Sequence, residues 1–208
     1  MMIGSRSSRI LSAGGSLLFA SVTGHLPGGA PLLRHDLFTN GILYVDLCFA
    51  VGGLSGRQAL LLPLFARAVC GCGLPGTGYA AAALELFRLT GGFTAVLDAG
   101  ATVAEPGGVS GHLVLRTRAL RPMLCEALAL VAGLAASADF HDLPRLRDIT
   151  LELRNDLKAA LLPMGTRFAS LRAGSRVSAA MAAEERWHGI TQLEFLQGLA
   201  EGLDGRLE

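Results

Sequence analysis

Histidine is the residue type with the most direct chemical meaning in this chain, because two imidazoles on one face of a helix can bind a metal ion. The five histidines are scattered singly along the 208 residues, at His25, His35, His112, His141 and His188. No two of them are three to five positions apart, so no helix of this sequence presents a pair of imidazoles on one face. The sequence therefore predicts no metal ligand and no metal cofactor in this chain.

A hydroxyl and an imidazole come close together in the segment Gly-Val-Ser-Gly-His, which contains Ser110 and His112. A hydrolase with a nucleophile elbow needs Gly-x-Ser-x-Gly instead. Side chains two positions apart on a strand share a face, but we expect these two to be too far apart for a reliable hydrogen bond. We therefore predict no catalytic residue here.

Gly71, Gly73 and Gly76 satisfy the Gly-x-Gly-x-x-Gly pattern of dinucleotide-binding loops. That pattern binds phosphates when a strand precedes it and a helix opens directly after it, whereas here a helical run comes first. Tyr79 stands where a phosphate-binding loop carries its lysine. The segment is predicted to be a flexible connection between two helices, without cofactor-binding residues.

The four cysteines include one Cys-x-Cys pair but no Cys-x-x-Cys, so neither a zinc ribbon nor a thioredoxin-like site is expected. We expect Cys48, Cys70, Cys72 and Cys125 to be free buried thiols. Free thiols predict a reducing compartment, either the cytoplasm or an organelle matrix.

An acidic ridge is formed by Asp148, Glu152 and Asp156, which are spaced four apart. Its two open interpretations are the solvated face of a helix and a contact with a basic partner domain.

Composition limits the classes of partner. Hydrophobic residues make up 51% of the chain, charged residues 17%, and the net charge is +1. This balance gives no electrostatic reason to expect nucleic acid or an acidic membrane. No apolar stretch reaches the ~20 residues needed to span a bilayer.

The first thirty residues contain Arg6 and Arg9 and no acidic residue. This composition leaves two interpretations open. One is a targeting segment, and the other is a linker tail over 1–15 followed by a strand over 16–24.

Turn signals and apolar periodicity divide the rest of the chain into strands and helices. Asn40-Gly41 is the strongest short hairpin signal, so strands over 32–38 and 42–51 are expected to pair across it, with Leu43, Val45, Leu47 and Phe49 facing the core. Two more strands are expected over 93–104 and 111–119, joined by a turn at 105–108. Helices are predicted after Ser55 to residue 69, over 79–89, from Pro122 to 137, from Asp142 to 162, and over 168–172 and 191–202. Antiparallel strands with helices packed on one face make an α+β domain, which is expected to be a single one over 16–208.

Several segments occur in the order that is typical of one peptidase family. They are Thr39-Asn40-Gly41, Pro63-Leu64-Phe65, Thr90-Gly91-Gly92, the run over 151–178 and Trp187-His188-Gly189-Ile190. In this order the chain resembles the third domain of presequence-protease-type peptidases, a branch of the pitrilysin and insulinase family of zinc peptidases. The resemblance covers roughly residues 31–201 and implies the α+β fold of metallopeptidases and mitochondrial processing peptidases.

The resemblance also implies a role. Family members bind zinc through an inverted His-x-x-Glu-His helix in their first domain, and this chain has no such motif. The resemblance therefore implies a non-catalytic domain that contributes chamber wall and structural support to an enzyme degrading unfolded peptides. Its expected partners are the remaining peptidase domains or a zinc-bearing half, and no activity is expected from this chain alone. The alternative is a stand-alone interaction or scaffold domain.

In the family this domain closes with one more strand after the terminal helices. Residues 191–208 read as one helix with a polar end and contain no β-branched or aromatic run that could form that strand. We therefore expect a sheet with an unpaired edge and a tendency to self-associate.

Overall fold

The structure is a computed structural model that describes residues 21–101 and 108–207. The chain divides between Gly41 and Ile42 into two compact units. In the first unit, the strands β1 (Ser21–His25) and β2 (Pro31–His35) pair antiparallel. Their connection is closed by a hydrogen bond from the Leu26 N–H to the Ala30 carbonyl, at 2.8 Å. The predicted tail over 1–15 and the start of the strand predicted over 16–24 lie outside the described residues.

A three-stranded antiparallel sheet organises the second unit. It contains β3 (Ile42–Ala50), β4 (Phe93–Ala101) and β5 (Val109–Leu120), in the order β3-β5-β4. The register places Leu47 opposite Leu115, and Leu97 opposite Leu113. Leucines therefore meet across all three strands on one face of the sheet, which is the cross-strand contact that stabilises such a pairing.

Helices provide the other layer. They are α1 (Gly56–Gly71), α2 (Tyr79–Leu89), α3 (Leu124–Ser137), α4 (Leu143–Ala160), α5 (Gly165–Gly174), α6 (Ala179–His188) and α7 (Ile190–Leu207). The main core cluster joins Val69 of α1, Leu134 of α3 and Trp187 of α6 to Leu113 and Leu115 of the central strand. An antiparallel sheet with helices over one face confirms the predicted α+β class.

Local signals account for most helix boundaries. The Ser55 side chain accepts a hydrogen bond from the Gln58 N–H, and the Gln58 side chain accepts one from the Ser55 N–H, which makes a capping box at the start of α1. Asp142 caps α4 by accepting from the Arg145 N–H. Helix α2 has the predicted bounds, and a 3₁₀ turn at Arg121–Met123 that contains Pro122 precedes α3.

The predicted hairpin across Asn40-Gly41 is wrong. Both residues have positive φ, 52° and 80°, so the chain does turn there. The strands on either side nevertheless pair elsewhere, β2 with β1 and β3 with β5. A turn signal fixes only the local backbone, whereas the sheet partner is decided by the apolar face that buries Leu47 and Leu115.

Three other elements differ from expectation. Helix α6 was not predicted, although Ser178 caps it and its alanines favour helix. Helices α5 and α7 are longer than the ranges 168–172 and 191–202. The turn predicted at 105–108 falls largely outside the described residues.

Candidate functional site

Among the elements of the second unit that the structure describes, no helix packs on the sheet face opposite the main core cluster. Alternation along the strands gives this face, which we call the open face, the residues Tyr44, Asp46, Cys48, Thr94, Val96, His112 and Arg116. Tyr44 is 63% exposed, and Arg116 pairs with Asp46 at 3.1 Å between half-exposed side chains. The open face thus mixes apolar, aromatic and charged groups.

Ser110 and His112 lie on this face and are closer than expected. The Ser110 Oγ is 3.4 Å from the His112 Nδ1. Asp98 is the register partner of His112 on β4. The Ser110–His112 separation is longer than the ~2.6–3.2 Å of an activated serine and its base. The geometry supplies a long polar contact and gives no sign of an activated nucleophile.

The glycine-rich segment forms a closed connection between α1 and α2. Leu74 and Thr77 exchange two main-chain hydrogen bonds, at 2.9 and 2.8 Å, around Gly76, whose φ is 79°. The Gly73 carbonyl accepts from the Asp139 N–H at 2.9 Å, and a Cβ on Gly73 would collide with the Thr77 carbonyl. The segment does connect two helices as predicted, and its glycines serve a tight turn.

The cysteines are free, as predicted, but only Cys72 is fully buried. Cys48 and Cys125 are exposed, so the expectation of four buried thiols is wrong. Cys48 lies on the open face, and Cys125 is near the start of α3, on a side that no element covers in the described chain. An apolar run in the sequence does not reveal which side of an element is covered.

A cleft runs along β4. Its volume is about 520 Å³, and we call it the β4-edge cleft. Residues 93–97 line the cleft on the side of β4. Its floor is formed by Pro63, Arg67 and Cys70 of α1, and its far wall by Ile149, Leu153 and Leu157 of α4. Trp187 and His188 of α6 also line it. Residues 93, 95 and 97 belong to the helix-covered face of β4, whereas 94 and 96 belong to the open face. A cleft that both sets line must lie beside the edge of the strand.

Charged side chains around the β4-edge cleft are paired. Arg67 Nη2 is 3.2 Å from Asp156 Oδ2, and Arg145 Nη1 is 3.8 Å from Glu152 Oε1. Arg145 also donates to the Gly71 carbonyl at 2.9 Å and lies over the Tyr79 ring. Asp148, Glu152 and Asp156 are exposed on α4, as the solvated interpretation of the acidic ridge predicts. Two members of that ridge neutralise arginines of this same chain.

Cys70 lies at the floor of the β4-edge cleft. Burial raises the pKa of its thiol to about 11, and a hydrogen bond from the Ala95 backbone and the nearby Arg67 only partly oppose this. At neutral pH Cys70 is therefore a protonated, unreactive thiol. It acts here as a small apolar side chain with a weak sulfur acceptor.

An ion pair between a buried glutamate and a half-exposed arginine fixes the end of α6, and the sequence does not reveal it. Glu185 is 4% exposed. Its Oε1 accepts from Arg172 at 2.9 Å and from the Thr191 N–H at 3.2 Å, which ties α5 and α7 to α6. Burial acts to raise the pKa of Glu185, but the hydrogen bonds from Thr191 and Arg172 outweigh it and hold the pKa below its ordinary value. The spacing of Arg172, Glu185 and Thr191 carries no motif, so only the packed helices reveal it.

The described part of the chain contains no cluster of side chains that could form a metal site. No group of three or more His, Cys, Asp or Glu side chains lies close enough together there to bind an ion. His188 Nδ1 is 3.0 Å from Glu184 Oε2, a single pair one helical turn apart. Among the helices in the described ranges, none has the length and apolar character needed to cross a membrane.

Comparison with known proteins points to one group of peptidases. Over 176 residues the chain is 26% identical to Presequence protease 1, chloroplastic/mitochondrial, of Arabidopsis thaliana, which covers 85% of this chain and 16% of the relative. It is 26% identical over 159 residues to Presequence protease, mitochondrial, of Drosophila melanogaster, covering 76% of this chain and 15% of the relative. Protein HypA of Clostridium perfringens is 24% identical over 168 residues, covering 81% and 17%.

The chain thus spans about one sixth of the length of these relatives. A family model described as peptidase-associated, of peptidase family M16, subfamily C, matches residues 19–199. That match extends from the N-terminal strands to the last helix and confirms the predicted resemblance to presequence proteases. The chain therefore belongs to this family of peptidase-associated domains.

Proposed function

We propose that this chain is a non-catalytic domain of a presequence-protease-like zinc endopeptidase that degrades unfolded peptides. The observation that carries the proposal is the family match over 19–199. The sequence supports it, because the five histidines offer no pair at helical spacing for a zinc ion. The zinc would belong to another part of the enzyme, and this chain would bind none.

Within that enzyme we assign the open face to the wall of the peptide chamber. The helix-covered face is occupied by the protein's own core, so the open face is the sheet surface left for other molecules. Its mixture of Tyr44, Val96, His112 and the Asp46–Arg116 pair provides apolar and polar contacts without a strong net charge. Such a surface contacts many peptide sequences weakly, as a general degradative enzyme requires.

The partners of this domain are the remaining peptidase domains or a separately encoded zinc-bearing half. Two of the relatives carry mitochondrial or chloroplastic in their names. An organelle matrix or the cytoplasm is accordingly the compartment that we propose for the chain.

Reconstitution tests this function. The chain would be mixed with the zinc-bearing half of a presequence protease from the same genome, and cleavage of an unstructured peptide would be followed by mass spectrometry. We expect cleavage to require both parts. A photo-crosslinking residue at position 44 should capture the peptide, whereas one at position 87, on the exposed side of α2, should not. Unchanged cleavage without this chain would favour a stand-alone interaction domain instead.

A further inference from the structure

Positive charge dominates the segment 157–183, which contains helix α5 and its connections to α4 and α6. The charged residues of this segment are Lys158, Arg167, Arg172 and Arg176, and it has no aspartate or glutamate. The whole chain, in contrast, carries 18 basic and 17 acidic side chains. The segment is therefore a local excess of positive charge in a nearly neutral protein.

Three of these cations lack a carboxylate partner. Lys158, Arg167 and Arg176 are exposed, and no ion pair among the residues that the structure describes includes them. The carboxylates of the neighbouring helix do not neutralise them either.

Helix α6 packs on α5 and carries two carboxylates, which are both engaged elsewhere. Glu185 is bound to Arg172 at 2.9 Å, and Glu184 to His188 at 3.0 Å. No carboxylate of α6 is left for the three exposed cations.

Apolar side chains lie exposed among these cations. Leu162, in the turn between α4 and α5, is 95% exposed, and Val177, just after α5, is 86% exposed. The Arg167 N–H donates to the Met164 carbonyl and the Val177 N–H to the Gly174 carbonyl, so both ends of α5 are held in hydrogen-bonded turns. These ends are about 15 Å apart, because the helix has ten residues. We call this surface the α5 patch, and it consists of Lys158, Leu162, Met164, Arg167, Arg176 and Val177.

The α5 patch suits a protein partner more than a lipid surface. Helices that lie on membranes have a continuous apolar side with large aromatic or leucine side chains, whereas the aromatic residue of α5, Phe168, is buried. Three cations alone hold a protein only weakly on an anionic bilayer. In protein interfaces, by contrast, separate apolar side chains enter recesses of the partner, and the charges around them meet opposite charges.

We propose that the α5 patch is a docking surface for an acidic surface of another part of the peptidase. Arg167 and Arg176 would pair with carboxylates of the partner, and Leu162 and Val177 would enter apolar recesses between them. The inference rests on the proposed function, because it takes the zinc-bearing half as the partner. It adds to that function the surface and the charge of the contact.

The position of the patch is compatible with the role of the open face. Helix α5 packs on α6, which packs on β4 and β5, so the α5 patch is separate from the surface assigned to the chamber wall. Most of the length of the relatives lies outside the part that matches this chain, so a partner of sufficient size is available there.

Binding of the full chain to the zinc-bearing half of a presequence protease from the same genome tests the docking surface. Affinity would be measured by calorimetry at about 50 mM and about 300 mM NaCl, since salt screens exposed charges. Arg167→Glu should weaken binding about tenfold and make it less dependent on salt. Arg167→Lys, which keeps the charge, should retain most of the affinity. Arg57→Glu makes the same change of charge at an exposed arginine of α1 and should leave the affinity within about twofold.

A second pair of variants tests the apolar contacts. Leu162→Asp should weaken binding about tenfold, because a charge would then enter an apolar recess. Leu84→Asp, on the exposed side of α2, should not. Substitutions at exposed side chains of this kind rarely unfold a domain, and circular dichroism of each variant would check this.

The outcomes separate the docking surface from the proposed function. Affinity that neither Arg167→Glu nor Leu162→Asp changes would overturn the inference, and the proposed function would stand if the mixture cleaves an unstructured peptide. Binding that both variants weaken, in a mixture that cleaves nothing, would support the docking surface and contradict the proposed function. Absence of any association would overturn both. Sedimentation of the chain with vesicles of phosphatidylcholine and phosphatidylserine, lost in Arg167→Glu, would assign the patch to a lipid surface instead.

Discussion

At the residue scale, single contacts explain why the helices at the end of the chain hold their positions. Glu185 is the clearest case, because one buried carboxylate joins Arg172 and Thr191. Gly41 matters for a different reason, because its backbone φ of 80° is one that residues with a side chain rarely adopt.

Glu185 makes stability depend on pH. Its folded-state pKa is lowered, so the ionised form is favoured by folding, and the stabilisation is fully present above the ordinary glutamate pKa of 4.5. It is lost as the pH falls through the lowered value. Urea unfolding between pH 7 and pH 3 should therefore show a steeper acid loss for the native protein than for Glu185→Gln. At pH 7 the variant should be about 1–3 kcal/mol less stable.

Glu184→Gln is the matched control for Glu185. Within the described ranges this neighbouring carboxylate pairs with the partly exposed His188, so its removal should cost less than about 1 kcal/mol. Equal losses for the two variants would show that the Arg172–Glu185–Thr191 contact does not fix these helices.

Gly41→Val should lower the free energy of unfolding by at least ~1 kcal/mol, because a β-branched residue is strained at positive φ. Gly53→Val is a fair comparison, since Gly53 lacks a positive φ and has open space around its Cα. Thermal or urea unfolding of the two variants provides the measurement. An unchanged midpoint for Gly41→Val would mean that the chain does not turn there as described.

At the scale of elements, the sequence predicted those whose signals are local. The Ser55 and Asp142 caps, the bounds of α2 and the apolar side of β3 at Leu43, Val45 and Leu47 need only neighbouring residues to be recognised. Phe49, which was also predicted to face the core, is 47% exposed at the end of that strand. The pairing of β3 with β5, about seventy residues later, needs a long-range partner that no local pattern names. Helix α6 is not evident from the sequence because its alanine run has a weak amphipathic pattern. The β4-edge cleft was unpredictable for the same reason, since it joins α1, β4, α4 and α6.

Trp187 tests the place of α6 in the core. It is 4% exposed, packs with the sheet leucines and touches the position of a Cβ on Gly111. Trp187→Ala should cost about 3–5 kcal/mol. Phe87→Ala, on a side chain that is 84% exposed, should change stability by less than about 0.5 kcal/mol. Similar losses for both would place α6 outside the core.

At the scale of the whole molecule, the described residues leave strand edges of the sheet unpaired. Besides the β4-edge cleft, β3 has β5 as its strand partner on one side only within the described residues, and Tyr44 and Leu120 are more than half exposed. Edges and apolar surface of this kind promote association when no neighbouring domain covers them.

We therefore expect the isolated chain to self-associate through the β3 edge or the open face. Sedimentation velocity at increasing protein concentrations should show a rising average mass. Tyr44→Lys should reduce that rise, because a charge on the open face opposes association. A monomer at every concentration, unfolding in one cooperative transition, would argue for a stand-alone domain.

The measurement that tests the central claim most directly is the zinc content of the purified chain after dialysis, together with cleavage of an unstructured peptide by the same sample. The account predicts no stoichiometric zinc and no cleavage, because the sequence has no paired histidines at helical spacing. One tightly bound zinc per chain, with cleavage that a chelator abolishes, would contradict the account.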